Sequence, residues 1–235
     1  MESWRDNMAT FVLSVGGSTI VPGGVPNVAF LKQFRQLILR RTKLGDRFVI
    51  VCGGGGTCRI YNSGLRRVTK PTADELDWLG IYTTQLNAQL VRLIFGKEAH
   101  PTIAADSQAF DPASWKKSIL IAGGHKPGGS SDTNMIKLAK RFGAKLAINI
   151  SNVDYLYTKD PRKFKNAQKI CEITWKDYRK MMGGKWIPGM NTPFDSTASK
   201  LADQANIDVL LIGSDTKNLS DVLSERAFRG TVIHH

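Results

Sequence analysis

The sequence is poor in cysteine and proline and has no long apolar run. Its 235 residues include 3 Cys and 9 Pro. Cys52, Cys58 and Cys171 are too few for a disulfide framework and lack the paired spacing of a zinc site. No apolar run approaches the ~18 residues of a membrane span, and residues 1–6 have mixed charge without a signal-peptide core. We therefore expect reduced thiols in a cytoplasmic protein.

Acidic residues are few relative to basic ones. The chain has 20 Asp+Glu against 33 Lys+Arg, which gives a formal net charge of +13. This surplus indicates an anionic partner: nucleic acid, an acidic membrane surface or phosphorylated small molecules. A hydrophobic share of 42% excludes a disordered chain. The length suits one large α/β domain or two small ones.

Short apolar runs alternate with helical patterns along the chain. Buried strands are predicted at residues 11–15, 48–52, 118–122, 145–150 and 208–212, with a closing edge strand at 230–233. The 3.6-residue period predicts helices at 27–43, 74–95, 131–142 and 196–205, the third capped by Ser131 or Asp132. Continuously apolar strands between helices are typical of a parallel sheet covered on both faces. The basic residues 159–185 are predicted to be loop-like and to begin a C-terminal lobe.

Three predicted strands run into glycine clusters, at residues 16–17, 53–56 and 123–124. In an open parallel sheet, ligands bind at the carboxyl ends of the strands, and N–H groups at such turns hold phosphate oxygens. The series therefore predicts a polyphosphate site. The sequence lacks the G-x-x-x-x-G-K-[ST] motif, the third glycine of the dinucleotide fingerprint, and the H-R-D and D-F-G triplets. These absences disfavour P-loop NTPases, Rossmann dehydrogenases and protein kinases.

The glycine clusters and their flanks form an ordered series at residues 14–18, 51–59, 123–132 and 151–161. This series resembles the amino acid kinase superfamily. Residues 77–81, 86–88 and 230–233 make the chain most similar to the archaeal-type UMP kinases. The resemblance covers residues 11–233. It implies a three-layer α/β/α sandwich with a central, mainly parallel sheet, forming one domain over residues 1–235. Its acceptor lobe would be about 9–150 and its ATP lobe about 151–235.

The resemblance also implies transfer of the γ-phosphoryl group of ATP to UMP, with Mg²⁺, in a homo-oligomer that is a dimer or a hexamer. By position, the ATP contacts would be Ser14, Gly16, Gly17, Gly55, Arg59, Ser151, Tyr157 and Asp160. The UMP contacts would be Gly54, Asp77, Gly124, Gly128, Ser130 and Ser131. Asp132 and Asp195 lie where the family places acidic residues that organise the metal and nearby lysines. No direct side-chain metal ligand is expected, and Asp195 stays open as a ligand through water.

The chain departs from the family at two positions. Many members have a lysine two residues before the first glycine, where this chain has Ser14. The missing charge must then come from elsewhere: we hypothesise that Lys126 reaches the transferring phosphoryl group, with Lys200 as second choice. The second departure is Tyr155, where the family commonly has glycine; a left-handed backbone there would strain tyrosine.

Several alternatives remain open at this stage. Asp132 and Asp195 could be helix caps only, and Lys126 a solvated loop residue. Another kinase of this fold, acting on a small phosphate or carboxylate, would share most of the series. The lost lysine favours a non-catalytic nucleotide- or oxoanion-binding protein similar to the molybdenum storage proteins. A nucleic-acid binder is disfavoured because the basic residues lie mostly on helix faces, without RNA-module motifs.

Overall fold

The computed structural model describes residues 10–107, 109–159, 161, 163–182 and 194–235. The strands are β1 (Thr10–Val15), β2 (Arg47–Cys52), β3 (Ile119–Ala122), β4 (Leu146–Ser151), β5 (Leu156–Tyr157), β6 (Lys169–Ile170), β7 (Glu172–Thr174), β8 (Asp208–Gly213) and β9 (Thr231–His234). The helices are α1 (Gly17–Ile20), α2 (Val28–Thr42), α3 (Gly55–Val68), α4 (Ala73–Phe95), α5 (Ser131–Arg141), α6 (Trp175–Met182), α7 (Ser196–Gln204) and α8 (Thr216–Leu223). None of these helices is long and apolar enough to cross a membrane.

The main sheet has the order β3-β2-β1-β4-β8-β9-β7. Neighbouring strands are parallel except β8 and β9. Val15 pairs with Cys52 on one side and Ile150 on the other, so the carboxyl ends of β1, β2 and β4 meet at one edge. The chain adds strands outward from β1 on one side and then, from β4, on the other. This reversal beside β1 is the switch point at which open α/β sheets bind ligands.

Successive residues of the central strands enter two separate cores. Leu13 and Ile50 join the core under α2, α4 and α8, whereas Val12 and Val49 join the core with α5, α6 and α7. Because side chains alternate across a strand, a strand with both sets apolar is buried on both faces. The predicted three-layer α/β/α sandwich with a mainly parallel sheet is confirmed.

Two predictions for the C-terminal part were wrong. The strand at residues 230–233 exists as β9, but it lies inside the sheet, and the short strand β7 takes the edge beside it. Residues 159–185 are not simply loop-like, because they contain β6, β7 and α6. Trp175 and Tyr178 of α6 are buried in the second core. The apolar residues of these short strands and of one helical turn are too few to show a periodic pattern among the many lysines of this segment.

The start of α5 also differs from its prediction. We expected Ser131 or Asp132 as the N-cap, but the cap is Ser130, whose Oγ accepts the N–H of Thr133 at 3.0 Å. Asp132 lies in the first turn of the helix instead. The loop before the helix therefore ends at a hydroxyl, and the carboxyl group of Asp132 is free to face α7.

Candidate active site

The first two glycine turns contact each other directly. A Cβ atom on Gly17 would lie 2.1 Å from the backbone nitrogen of Gly55. Gly55 also has a φ of +63°, which side chains disfavour. Both positions therefore require glycine, because a side chain at either one would collide with the backbone of the other turn. This contact puts the two predicted phosphate-binding turns into one site.

Helix α4 holds the second and third turns from behind with polar side chains. Nδ2 of Asn87 donates to the carbonyl oxygens of Gly53 at 2.8 Å and Gly54 at 3.1 Å, and Asn87 is only 2% exposed. Gly124 donates its N–H to Oγ1 of Thr84 at 2.7 Å and accepts from Nε2 of Gln85 at 2.9 Å. No role was predicted from the sequence for Asn87, Thr84 or Gln85. Their signal was polarity on the sheet-facing side of a long amphipathic helix.

Asp77, near the start of α4, contacts the third glycine loop. Its Oδ2 accepts the N–H of Gly128 at 3.2 Å. We call residues 124–130 the acceptor loop. Lys126 is exposed on this loop and lines a pocket of about 80 Å³ together with Asp106, Ser107 and Lys137. His125 contacts Asp106 at 3.4 Å across the mouth of this pocket. The structure thus brings Asp77, Gly124, Gly128 and Lys126 together.

Arg59 lies on α3 and bridges to the first turn. Its exposed guanidinium donates to Oγ of Ser18 at 3.2 Å. Ser14, by contrast, is only 1% exposed inside β1. Arg59 therefore places a cation beside the first glycine turn, where Ser18 follows Gly17. The ATP contact predicted for Ser14 remains a prediction, and its side chain is buried.

Asp132 and Asp195 lie side by side where α5 and α7 begin. The N–H of Asp195 donates to Oδ2 of Asp132 at 3.3 Å, and Nδ2 of Asn149 donates to Oδ1 at 3.4 Å. Burial of the carboxyl group, and then the charge of Asp195, raise the pKa of Asp132 to about 8. Asp195 is the N-cap of α7, as the alternative interpretation from the sequence expected. Asp195 is more than a cap, because its carboxylate also accepts hydrogen bonds from the hydroxyl groups of Ser130 and Thr133 at the start of α5.

The predicted adenosine side lies at the ends of β4 and β5. Ser151 ends β4 and pairs with Gly213 of β8, and Tyr157 lies in β5 with its ring 6.4 Å from that of Tyr155. The strain expected at Tyr155 is absent: among the described residues other than glycine, only Asn206 and Glu225 have positive φ. The predicted site residue Asp160 lies outside the described residues. Lys200 is exposed on the outer face of α7.

The chain is similar to known proteins over nearly its whole length. Residues 9–213 match the sequence profile of the amino acid kinase family. The chain belongs to the amino acid kinase family. Among its curated relatives, the uridylate kinase of Methanospirillum hungatei is 34% identical over 231 residues, covering 96% of this chain and 95% of the relative. The uridylate kinase of Pyrococcus abyssi is also 34% identical, over 228 residues, covering 94% of this chain and 98% of the relative.

Solved structures of the amino acid kinase family share the fold. The uridylate kinase of Archaeoglobus fulgidus superposes with a TM-score of 0.77 at 24% identity, covering 95% of this chain and all (100%) of that one. The aspartate kinase of Synechocystis gives a TM-score of 0.71 at 19% identity, over 96% of this chain but only 40% of that one. Members of the family that differ in named activity thus share this scaffold, so the activity must be argued from the site.

In this member of the amino acid kinase family, the described residues contain no group of three or more His, Cys, Asp or Glu side chains that could hold a metal ion. Asp132 and Asp195 contact each other directly after the loop that follows β3, where Ser130 donates to Asp195. Mg²⁺ usually binds through one or two carboxylates together with substrate phosphates. The site therefore suits a cation that arrives with a nucleotide.

Proposed function

We propose that the protein is a UMP kinase that transfers the γ-phosphoryl group of ATP to UMP, giving UDP and ADP in pyrimidine nucleotide biosynthesis. Uridylate kinases related over nearly the whole chain support this proposal. The observation that carries it is the site itself: glycine turns after β1, β2 and β3 share one edge, and α4 holds two of them in place. Two phosphate chains brought end to end would need such an arrangement.

The acceptor side would consist of Gly54, Asp77, Gly124, Gly128, Ser130 and Ser131. One carboxylate oxygen of Asp77 accepts the N–H of Gly128, so the other oxygen can accept a hydrogen bond from a nucleotide hydroxyl or a base N–H. The N–H groups of the acceptor loop would hold the phosphate of UMP. An acyl or isoprenoid acceptor would instead need an apolar pocket, and the residues that line this one are mostly polar or charged.

The donor side would consist of Gly16, Gly17 and Gly55 at the phosphates, and Ser151, Tyr157 and Asp160 at adenosine. An oxygen of the UMP phosphate attacks the γ-phosphorus, the bond to the β–γ bridging oxygen breaks, and ADP leaves. Arg59 would neutralise charge on the phosphates, with Lys126 or Lys200 in the place of the lysine absent at residue 14. These groups act by position and charge rather than by covalent chemistry.

Magnesium, when bound with ATP, would shield the negative charge of the phosphates. Asp132 fits a cation because the hydrogen bonds that its two carboxylate oxygens accept within the described part of the chain are long, at 3.3 and 3.4 Å. A cation beside it would also favour its ionised form, against the burial that raises its pKa. The chain thus offers one carboxylate with free acceptor capacity next to the glycine turns.

We also propose that the protein self-associates and acts in the cytoplasm. Trp78, Tyr82, Leu86 and Leu93 lie on one face of α4 and are all exposed, at 40%, 61%, 61% and 60%. Tyr61 and Val68 of the neighbouring α3 extend this apolar surface. An apolar patch of this kind is typical of a subunit interface. Light scattering after gel filtration should give at least a dimer, and Leu86→Glu should lower the molar mass.

The test of function is an ADP-release assay with MgATP across a panel of acceptors. UMP should give the highest kcat/KM, above CMP, dUMP, carbamate, acetylglutamate and isopentenyl phosphate. Higher turnover of a non-nucleotide would reassign the acceptor. If no acceptor releases ADP while ATP still raises the Tm, the protein is a nucleotide-binding member of the family without kinase activity, as the serine at residue 14 would allow.

A further inference from the structure

Tyr155 lies at the carboxyl edge of the sheet, on the side predicted to hold adenosine. Asp154, the residue before it, packs against the end of β8, where its Oδ1 occupies the space that a Cβ atom on Gly213 would take. Gly213 in turn pairs with Ser151 at the end of β4. Tyr155 is therefore held at the edge where open parallel sheets bind their ligands.

The strand β5 turns two tyrosine rings to the same side. Leu156 between them is 1% exposed in the second core, and its N–H donates to Oγ1 of Thr231 at 2.8 Å. Because side chains alternate along a strand, Tyr155 and Tyr157 lie on the face opposite Leu156, and both are half-buried. The buried bond at Leu156 thus fixes the backbone between the two rings.

The rings of Tyr155 and Tyr157 form a corner, which we call the aromatic corner. Their centroids are 6.4 Å apart and their planes are 80° from each other. Nζ of Lys169, on the neighbouring strand β6, lies 5.2 Å from the centroid of the Tyr155 ring. Two aromatic surfaces at nearly a right angle fit a flat base, which can stack on one ring and meet the other with its edge.

Tyr155 stands where the amino acid kinase family commonly has glycine, so its ring is an addition to the common pattern. A glycine would leave the base to meet Tyr157 alone. The backbone of Tyr155 is outside the left-handed region, because among the described residues other than glycine only Asn206 and Glu225 have positive φ. The ring is therefore added without backbone strain.

We propose that Tyr155 is a second base-binding residue of the donor site and that, together with Tyr157, it takes the purine base of a nucleoside triphosphate by stacking. Stacking uses the flat face of a base, and the two-ring face of a purine covers more of the corner than a pyrimidine does. The sequence predicted a contact for Tyr157 only and treated Tyr155 as a source of strain. The inference rests on the proposed kinase function, which supplies the nucleotide donor.

The first test measures the affinity for ATP without turnover. Isothermal titration calorimetry in the absence of UMP gives Kd for wild type, Tyr155→Phe and Tyr155→Leu. Tyr155→Leu keeps an apolar side chain but loses the ring, and should raise Kd about tenfold. Tyr155→Phe keeps the ring and should bind as wild type does. A rise of less than threefold in Tyr155→Leu would overturn the proposal.

Phe164→Leu is the matched control. Phe164 is 49% exposed, and Nζ of Lys159 lies 5.7 Å from its ring centroid, so it has the same kind of lysine contact in the same part of the chain. Its Kd for ATP should stay within about twofold of wild type. An equal rise for Phe164→Leu and Tyr155→Leu would show that lysine–ring contacts shape this segment, and would overturn base binding by Tyr155.

Two further measurements separate base binding from a structural role. In Tyr155→Leu, Kd for UMP should stay within about twofold, because the acceptor loop follows β3, three strands away from β4 in the sheet. The Tm without ligands should also stay near that of wild type, because the ring is half-buried outside the two cores. A parallel loss of UMP and ATP affinity would make Tyr155 structural. If Tyr155→Leu does not fold, Tyr155→Gly, which restores the common residue of the family, takes its place.

The binding experiment and the acceptor panel fail in distinguishable ways. Wild-type protein that binds ATP but releases no ADP with UMP would refute the proposed function, and the comparison of Tyr155 variants would still decide the base contact. Wild-type protein that transfers phosphate to UMP, with unchanged ATP affinity in Tyr155→Leu, would refute the base contact alone. Wild-type protein that binds no ATP would overturn both.

Discussion

The acceptor turns and the adenosine-side loop are stabilised in different ways. Buried or half-buried side chains of one helix, α4, bond directly to the backbone of the second and third glycine turns. The adenosine side depends on the two-residue strands β5 and β6 and on exposed lysines over aromatic rings, such as Lys169 5.2 Å from the ring centre of Tyr155.

Because of this difference, we expect mutations in the two regions to affect stability and ligand binding differently. A buried polar side chain that satisfies backbone carbonyls is costly to remove, because the carbonyls lose their partner without gaining water. Exposed cation–π contacts contribute less, about 0.5–1 kcal/mol each. Changes in α4 should therefore damage the fold and the acceptor site together, whereas changes in the β5–β6 hairpin should alter ATP binding alone.

The largest effect is expected where the two sides meet, at Arg59. Arg59→Ala should lower kcat/KM for UMP about 100-fold, or ~2.7 kcal/mol of barrier, because a guanidinium can hold two phosphate oxygens at once. Arg59→Lys should recover only part of this, since it keeps the charge without the fork. Arg66→Ala, an exposed arginine later on α3, is the matched control. Steady-state kinetics within threefold of wild type for Arg59→Ala would exclude the role.

The next largest effect concerns the support of the acceptor turns. Asn87→Ala leaves the carbonyl oxygens of Gly53 and Gly54 without their donor, and should cost about 2 kcal/mol of unfolding free energy. Urea unfolding measures this loss, and KM for UMP should rise in parallel. Gln89→Ala, on the same helix, removes only a contact to Arg92 and should cost less than 0.5 kcal/mol. Equal losses for the two variants would remove the distinction between the regions.

We expect the free energy of unfolding to depend on pH through Asp132. Its folded-state pKa is raised to about 8 from an ordinary value of 3.8, so the folded protein binds the proton more tightly than the unfolded chain. Its contribution to stability is therefore fully present below about pH 4 and is lost as the pH rises to about 8. Asp132→Asn cannot ionise and should gain stability relative to wild type between pH 5 and 8. Urea unfolding at pH 5 and at pH 8, in the absence of magnesium, measures this gain. The same stability difference between Asp132→Asn and wild type at both pH values would mean that the carboxyl group has an ordinary pKa.

The smallest effect is expected on the adenosine side. Tyr157→Ala should raise KM for ATP about three- to tenfold, because an aromatic ring that stacks on a base contributes about 1 kcal/mol or somewhat more. Its Tm and its KM for UMP should stay near those of wild type, and Tyr157→Phe should behave as wild type. A fall in Tm as large as that of Asn87→Ala would show that the hairpin is as integral to the fold as α4.

Most of the sheet could be predicted from the sequence because its strands are continuously apolar and end in glycine. The short strand β7 could not, since three residues with a charged Glu172 carry no periodic signal, and it exists because β9 offers it a partner. The same holds for α6, whose two buried aromatic residues are few against its lysines. The cap of α5 was misplaced by one or two residues, because Ser130, Ser131 and Asp132 are all good caps in isolation.

The sequence by itself determined the layered architecture, the glycine turns and the family, because periodicity and glycine spacing are local properties of the chain. The tertiary structure decided which side chains serve those turns. The roles of Asn87, Thr84 and Gln85 arise only when α4 packs behind β2 and β3. Their hydrogen-bond partners are 34 to 40 residues away in the chain. The tertiary structure also separates Asp195, whose oxygens accept four protein donors, from Asp132, whose oxygens accept two long hydrogen bonds. Two aspartates that looked alike in the sequence differ because hydrogen-bond donors are supplied by distant parts of the fold.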